Sequence, residues 1–484
     1  MSASLPALLP DLVRAFLDDP AAVRAAVTDT PTHLVFPQVY ARNLADLEAV
    51  LRRRLDRHRI CYAHKVNQSA AFARTACRAG IGIDVASPRE LSSALAAGFD
   101  PERVEVTGPK GDRFLREVIG RGVTISVDNL WELGRITESA RDLGPVPILL
   151  RVSGFAGTPP SRFGIALAQV DRAFDLVSDH RDRITLLGFA FHLDSGETAD
   201  RVRAVDACLG LIERAYRHGH TPSVLNIGGG LRQVFTADAD RFDGYVRALR
   251  ASLLGRGEPM SWGENTFGYH VDGGAVRGVP VFHKYANTVP AARMLDDLLT
   301  APLERHGGRT VAEVVGDNLL TLWLEPGKAL VDHAGITVAT VEFTKELADG
   351  TIVVAVDLSR DSVTPADQEV MVDPLVLSNT RQGGRGPVGV YFAGRLCLER
   401  DMITNHKVWL EWMPRPGDLV VFPNTAAYHM DLSASSASMH PLPPKVAVTH
   451  RDGRFVAVPD ADHVPEDEPH GLDAVAFARR GEQR

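Results

Sequence analysis

The chain has 484 residues, 45% apolar and 24% charged, an ordinary balance for a folded protein and length enough for two or three domains. A net charge of −8 gives no reason to expect nucleic acid or an anionic membrane as partner. Four cysteines (Cys61, Cys77, Cys208 and Cys397) without CxxC spacing are too few for a disulfide framework and suit a reducing compartment.

The opening MSASLPALLPDLVRAFLDDP lacks a basic leading region, and its apolar residues are interrupted by prolines and aspartates, so it reads as mature protein. No apolar run approaches the ~18 residues a membrane span needs, and the expected location is cytoplasmic. From about residue 34 short apolar runs alternate with helical patterns. ICYAHKV (60–66) predicts a buried strand and QSAAFARTACRAG (68–80) the helix behind it. GIDVAS (82–87) is a second strand. Ser87, Pro88 and Gly98 then mark the cap, first position and stop of the helix PRELSSALAAG. RVEVTGP, GVTISVD, VPILLRV, ITLLGFAFHL and PSVLNIGGG continue the strands to residue 230. This alternation predicts a parallel α/β barrel or a doubly wound sheet.

The stretch from Gly230 to Glu325 is long for one strand–helix unit, and about 255–315 reads as an insertion rich in glycine, aromatics and histidine: a surface loop, or a lid at the barrel mouth. After Lys328, ITVATVEFTKEL, TIVVAVDLS, GVYFAG, DLVVFPN and KVAVTH are strands without helices between them, which predicts a separate all-β domain. The tail after Asp460 is expected to be disordered or a surface helix.

Residues with chemical potential sit at strand ends: Lys65 in CYAHKVN, His192 and Ser195 in FHLDSG, Gly228, Gly229 and Gly230 in NIGGG, and Glu325, Gly327 and Lys328 in EPGK. Cys397, Glu399, Arg400 and Asp401 in CLERD and Tyr428 in FPNTAAY lie in the β region. Taken singly, a lysine is usually solvated, three glycines a turn, a glutamate half of an ion pair. In this order, from about Thr32 to about Val448, they resemble the fold-type III amino-acid decarboxylases, the diaminopimelate, ornithine and arginine decarboxylases.

The resemblance implies an α/β fold: an alanine-racemase-like (β/α)8 barrel over 32–330 that binds pyridoxal 5'-phosphate, an all-β domain over 331–460, an N-terminal segment 1–31 packed on that domain, and a tail 461–484. It implies Lys65 as the Schiff-base lysine, its pKa lowered by desolvation at a partly buried strand end so that the amine is deprotonated and able to attack. The glycine loop with Ser195, Gly327, Lys328 and Tyr428 would hold the phosphate; Lys328 replaces the family's arginine. Glu325 would pair with the ring nitrogen and His192 stack on the ring. Asp84 is as well explained by buried polar support. Cys397, lent by the second subunit of a homodimer, would assist protonation, with Asp401 as its buttress. Arg162, Glu399, Arg400 and Asp401 are the expected substrate contacts. The implied activity is decarboxylation of a small-molecule amino acid, free, carrier-tethered or conjugated. Racemisation or epimerisation on the same fold, or non-catalytic cofactor binding, are the alternatives.

Overall fold

A computed structural model describes residues 3–141, 143–364, 369–378 and 387–466. Eight parallel strands close into a barrel. They are β1 (His58–Ala63), β2 (Gly82–Val85), β3 (Val104–Val106), β4 (Thr124–Val127), β5 (Val146–Ser153), β6 (Ile184–Ala190), β7 (Val224–Asn226) and β8 (Thr321–Leu324). Neighbours follow chain order, and β8 returns to β1 with Leu322 opposite His58. Parallel pairing requires a crossover between strands, which amphipathic helices supply while covering the barrel's outer face. Local signals set their starts: Ser69 accepts from Phe72 N at 3.2 Å, and Ser87 from Glu90 N at 3.2 Å with Pro88 in the first turn.

The second domain is built on the long strand Gly335–Glu346, which pairs antiparallel with Thr32–Val35, Ile352–Val356 and Leu419–Phe422. Val354, Val356, Phe392, Val408, Val420 and Phe422 form its buried core. Thr32–Val35, assigned to the barrel from sequence, instead lies between Gly335–Glu346 and Lys445–Arg451 in this sheet. A four-residue strand such as THLV carries no mark of its sheet; long-range pairing decides that. The N-terminal segment meets the same domain, with the Phe16 ring 5.4 Å from that of Phe455 and Leu5 N donating to Asp373 Oδ2 at 2.7 Å.

The start of the tail also departs from expectation. Asp460 accepts from Ala70 N at 2.7 Å and from the Ser69 hydroxyl, and Arg74 Nη1 donates to the carbonyl of His463 at 2.8 Å. Residues 461–466 are therefore packed on the first barrel helix, where a carboxylate offsets the positive helix end. Residues 467–484 lie outside the described residues.

Within the expected insertion, the helix Ala291–Leu299 packs on Pro37–Arg54 as part of the ordinary outer layer. The preceding stretch, with the hairpin Tyr269–Asp272/Ala275–Gly278, buries Phe267, Tyr269, Phe282 and Tyr285 against Phe242, Tyr245 and Met371. It bridges the domains: Trp262 N donates to Asn405 O at 2.8 Å, and Lys407 N to Met260 O at 3.0 Å. Beside this seam His406 is fully buried, its Nδ1 2.7 Å from Glu369 Oε1 and its Nε2 3.5 Å from Asp373 Oδ1, with the Tyr245 ring edge-on. Burial opposes its charge, but the nearby carboxylates of Asp373 and Glu369 outweigh burial and raise its pKa from 6.5 to about 9. A raised pKa contributes stability that is complete below pH 6.5 and lost as pH rises through about 9. The change is on the order of 3 kcal/mol. Thermal unfolding should show this loss in the wild type and not in His406→Asn; parallel pH curves for the two would refute it.

Candidate active site

Five adjacent strands, in the order β2–β1–β8–β7–β6, bring the candidate residues to one end of the barrel. Asp84 lies in β2. Lys65 occupies a single 3-10 turn, His64–Val66, directly after β1. Glu325 follows β8, Gly228–Gly230 follow β7, and His192 follows β6. This is the C-terminal end of the strands, where loops of a parallel barrel converge.

Lys65 is half-buried, and its Nζ donates to Asp84 Oδ2 at 3.1 Å; Thr107 Oγ1 donates to the other Asp84 oxygen. Burial pulls the ammonium pKa down, but Asp84, Glu325 and Tyr428 outweigh it and hold the amine above its ordinary range. The sequence expectation of an amine depressed by desolvation is thus reversed, because a strand end alone does not reveal a carboxylate on the neighbouring strand. Lys110 makes a useful contrast: its buried Nζ is 3.1 Å from Glu132 Oε2 and donates to the carbonyls of Ser126 and Gly108. That lysine is locked in place, whereas Lys65 reaches the mouth.

Glu325 is 8% exposed, and its Oε1 accepts from Asn226 Nδ2 at 2.7 Å. Burial and Asp84 push its carboxyl up to about 7, against the pull of Lys65 and Arg151. Gly327 lets EPGK lie against the Lys65 turn, since a Cβ there would stand 3.1 Å from that of Val66. Tyr428, at φ +71°, donates its backbone N–H to Val66 O at 2.8 Å, tying the β-domain to the Lys65 turn.

Only glycine fits the loop after β7. A Cβ on Gly228, Gly229 or Gly230 would lie 2.4, 2.4 or 2.1 Å from the carbonyl oxygens of Phe191, Glu325 and Leu193, respectively. The carbonyl of Gly228 accepts from Glu325 N at 3.0 Å and that of Gly229 from the buried Arg201 guanidinium, so the loop is fixed to β8 and to the helix Thr198–Arg217. His192 Nδ1 is 3.3 Å from Gly229 N. It stands exposed at the mouth, where partial desolvation and the cationic Lys65 and Arg151 lower its pKa and favour the neutral ring. Ser195 is exposed; its carbonyl accepts from Arg232 Nη2 at 3.0 Å, which places it beside the glycine loop. Lys328 Nζ pairs with Asp194 at 2.6 Å on the same side.

Arg162 stacks on the Phe163 ring at 4.0 Å, with Arg151 at 4.7 Å from that ring and 3.6 Å from Asp128. The CLERD turn is separate. Asp401, 3% exposed, accepts from the backbone N–H groups of Arg360 and Leu396, both at 2.8 Å. Cys397, Leu398, Glu399 and Arg400 face solvent. Among the described residues, no hydrogen bond or ion pair links this turn to the barrel mouth within one chain. Asp401 therefore shapes the turn from beneath.

Sequence reading missed Asn226, Glu105, Arg151 and Arg201. For Glu105 there was a signal, an acid at the centre of the apolar strand VEV; for the others a polar residue ending or following a strand was too common a sight.

These groups suit pyridoxal phosphate: an amine at the mouth, a buried carboxylate with a single side-chain donor on Oε1, and a tight glycine loop flanked by Lys328. Residues 43–258 match the family model described as pyridoxal-dependent decarboxylase, pyridoxal binding domain. The chain is 34% identical to protein y4yA of Sinorhizobium fredii over 90% of its own length and 92% of the relative's. It is 27% identical to diaminopimelate decarboxylase of Bacillus subtilis over 82% of its length and 81% of that enzyme's. Diaminopimelate decarboxylase from M. jannaschii in complex with L-lysine shares the fold at TM-score 0.67 and 16% identity, over 96% of this chain and 99% of that one. Arginine decarboxylase from Paramecium bursaria Chlorella virus shares it at TM-score 0.63 and 18% identity, over 89% and 98%. Among the described residues, no helix is long and apolar enough to cross a membrane. The barrel, its cofactor-ready mouth and these relatives together place the chain in the fold-type III family of pyridoxal-phosphate-dependent amino-acid decarboxylases, which are carboxy-lyases.

Proposed function

We propose that Lys65 holds the cofactor through Nζ and that the enzyme decarboxylates an amino acid whose distal end is not a free ammonium. The observation that carries the first part is the convergence of Asp84, Lys65, Glu325, Gly228–Gly230 and His192 on five adjacent strand ends. When bound, pyridoxal phosphate supplies an electron sink for the pair left as CO2 departs. Glu325 would face the ring nitrogen with Asn226 orienting its carboxyl. The Gly228–Gly230 loop, Ser195, Gly327, Lys328 and Tyr428 would bind the phosphate, and His192 would cover a ring face. Asp84 would receive Lys65 Nζ whenever that amine is free.

The substrate reading rests on the CLERD turn. In the diamino-acid decarboxylases of this family an acid follows the cysteine and meets the distal ammonium; here Leu398 stands there, 49% exposed. A buried ammonium beside leucine would cost several kcal/mol, roughly that of an unpaired buried charge. Arg400, and Arg162 at the mouth, suit a carboxylate or phosphate instead, through a bidentate fork. Since the turn faces solvent in one chain, we assign Cys397 to the site of a partner subunit in a homodimer, its Sγ carrying the proton for the carbon that has lost CO2.

A panel of amino acids and their acidic conjugates tests the substrate class. CO2 and an amine are expected from acidic or conjugated substrates, with Arg400→Ala weakening their KM by about tenfold. Rapid turnover of ornithine, lysine or meso-diaminopimelate would overturn the substrate class, and an inverted amino acid without CO2 would overturn decarboxylation.

A further inference from the structure

Inside the barrel, below Glu325, lies an acid that the proposed chemistry does not use. Glu105, on β3, has no exposed surface. Both its oxygens contact Asn226 Nδ2, at 3.0 and 3.1 Å, and the same nitrogen is 2.7 Å from Glu325 Oε1. Asn226 Oδ1 is occupied by Gly228 N at 2.8 Å. One neutral amide thus serves two carboxyl groups from different strands of the closed barrel, close enough to hydrogen-bond to each other.

The groups facing Glu105 from each strand are few: Glu325 from β8, Asp84 from β2, and Arg59 and Cys61 from β1. Arg59 stacks on Trp323 at 4.4 Å and donates to Glu102 O at 2.7 Å. Asp84 is paired with Lys65 at the mouth, whereas Glu105 lies deeper without solvent, where like charges repel strongly and desolvation favours the neutral form. Glu325 has Lys65 and Arg151 on its side; Glu105 has only Arg59. The proton therefore belongs on Glu105. Burial first, then Glu325 and Asp84, raise the Glu105 pKa well above the ordinary carboxyl range.

We propose that Glu105 is a neutral carboxylic acid that donates to Glu325 and, with Asn226, fixes the position and charge of the carboxylate facing the cofactor ring nitrogen. It is a positioning residue, and its role toward the ring rests on the reading of Glu325 given above. Removing the donor without replacing it leaves Glu325 harder to ionise; a glutamine amide restores a donor of the same size.

Infrared spectroscopy of the purified protein at neutral pH reads the proton directly and needs no turnover. A protonated-carboxyl band is expected that shifts in heavy water, disappears in Glu105→Gln and persists in Glu325→Gln. If the band is missing from the wild type, or survives Glu105→Gln, the assignment is wrong. Should Glu105→Gln fail to fold, Glu325→Gln decides it: a band that vanishes there places the proton on Glu325. Titration with pyridoxal phosphate then reads the positioning role. Glu105→Gln should keep the wild-type pH profile of bound-cofactor absorbance, whereas Glu105→Leu should displace its midpoint by about one unit. An unchanged profile in a folded Glu105→Leu would refute positioning. If Lys65 or Glu325 did not hold the cofactor, the titration would fail in the wild type while the infrared result still stood.

Discussion

Lys65→Ala should lower decarboxylation by at least ~10³-fold, because it removes both the covalent hold on the cofactor and the amine nearest the reacting carbon. The loss should lie in kcat, since the glycine loop, Glu325 and the phosphate-side groups remain to bind the cofactor. Folding should be unaffected: Lys65 is half-buried, and its Nζ pairs with Asp84 at the mouth. Deleting the lysine leaves Asp84 without its cation, but Thr107 still donates to it. Borohydride reduction followed by peptide mapping should find the cofactor on Lys65 in the wild type and nowhere in the variant. Among the other lysines, Lys110 is immobilised by Glu132 and Lys328 is paired with Asp194. Cofactor trapped on either would refute the assignment.

Cys397→Ala and Lys65→Ala should each be nearly inactive alone and regain activity when mixed. If each site takes Lys65 from one chain and Cys397 from the other, a hybrid dimer keeps one intact site of two. Random exchange of subunits then yields about a quarter of the wild-type activity. The geometry gives the reason to expect this: Asp401 fixes the turn from below through Arg360 N and Leu396 N, while Cys397 is presented to solvent. A sedimentation profile showing a fully active monomer, or mixtures no better than either parent, would sink it. The measurement is also independent of the substrate class, since it compares variants on any substrate that is turned over.

Much of the barrel was legible in the sequence because each parallel strand is buried on both faces and so reads as an uninterrupted apolar run, while its helix shows a cap, a periodic apolar face and a stop. ICYAHKV, GIDVAS and PSVLNIGGG carry that pattern, and the order of motifs along them gave the family and the cofactor. The proton and charge relations were not legible. Asp84 and Lys65 are 19 positions apart and Glu105 and Asn226 121 apart, and they meet only because β2 lies beside β1 and because barrel closure turns β3 toward β7. Hence the charge on Lys65 came out opposite to what desolvation alone predicts. Thr32–Val35 illustrates the same limit in the scaffold: a short strand of two polar and two apolar residues fits either sheet, and its partners Gly335–Glu346 and Lys445–Arg451 lie some three to four hundred residues away. By itself the sequence determined which segments are strands, which are helices and which residues could do chemistry. The tertiary structure alone decided which strands are neighbours, and with that which buried carboxyl groups must share a proton, because electrostatic energy depends on distance and solvent exposure rather than on order along the chain.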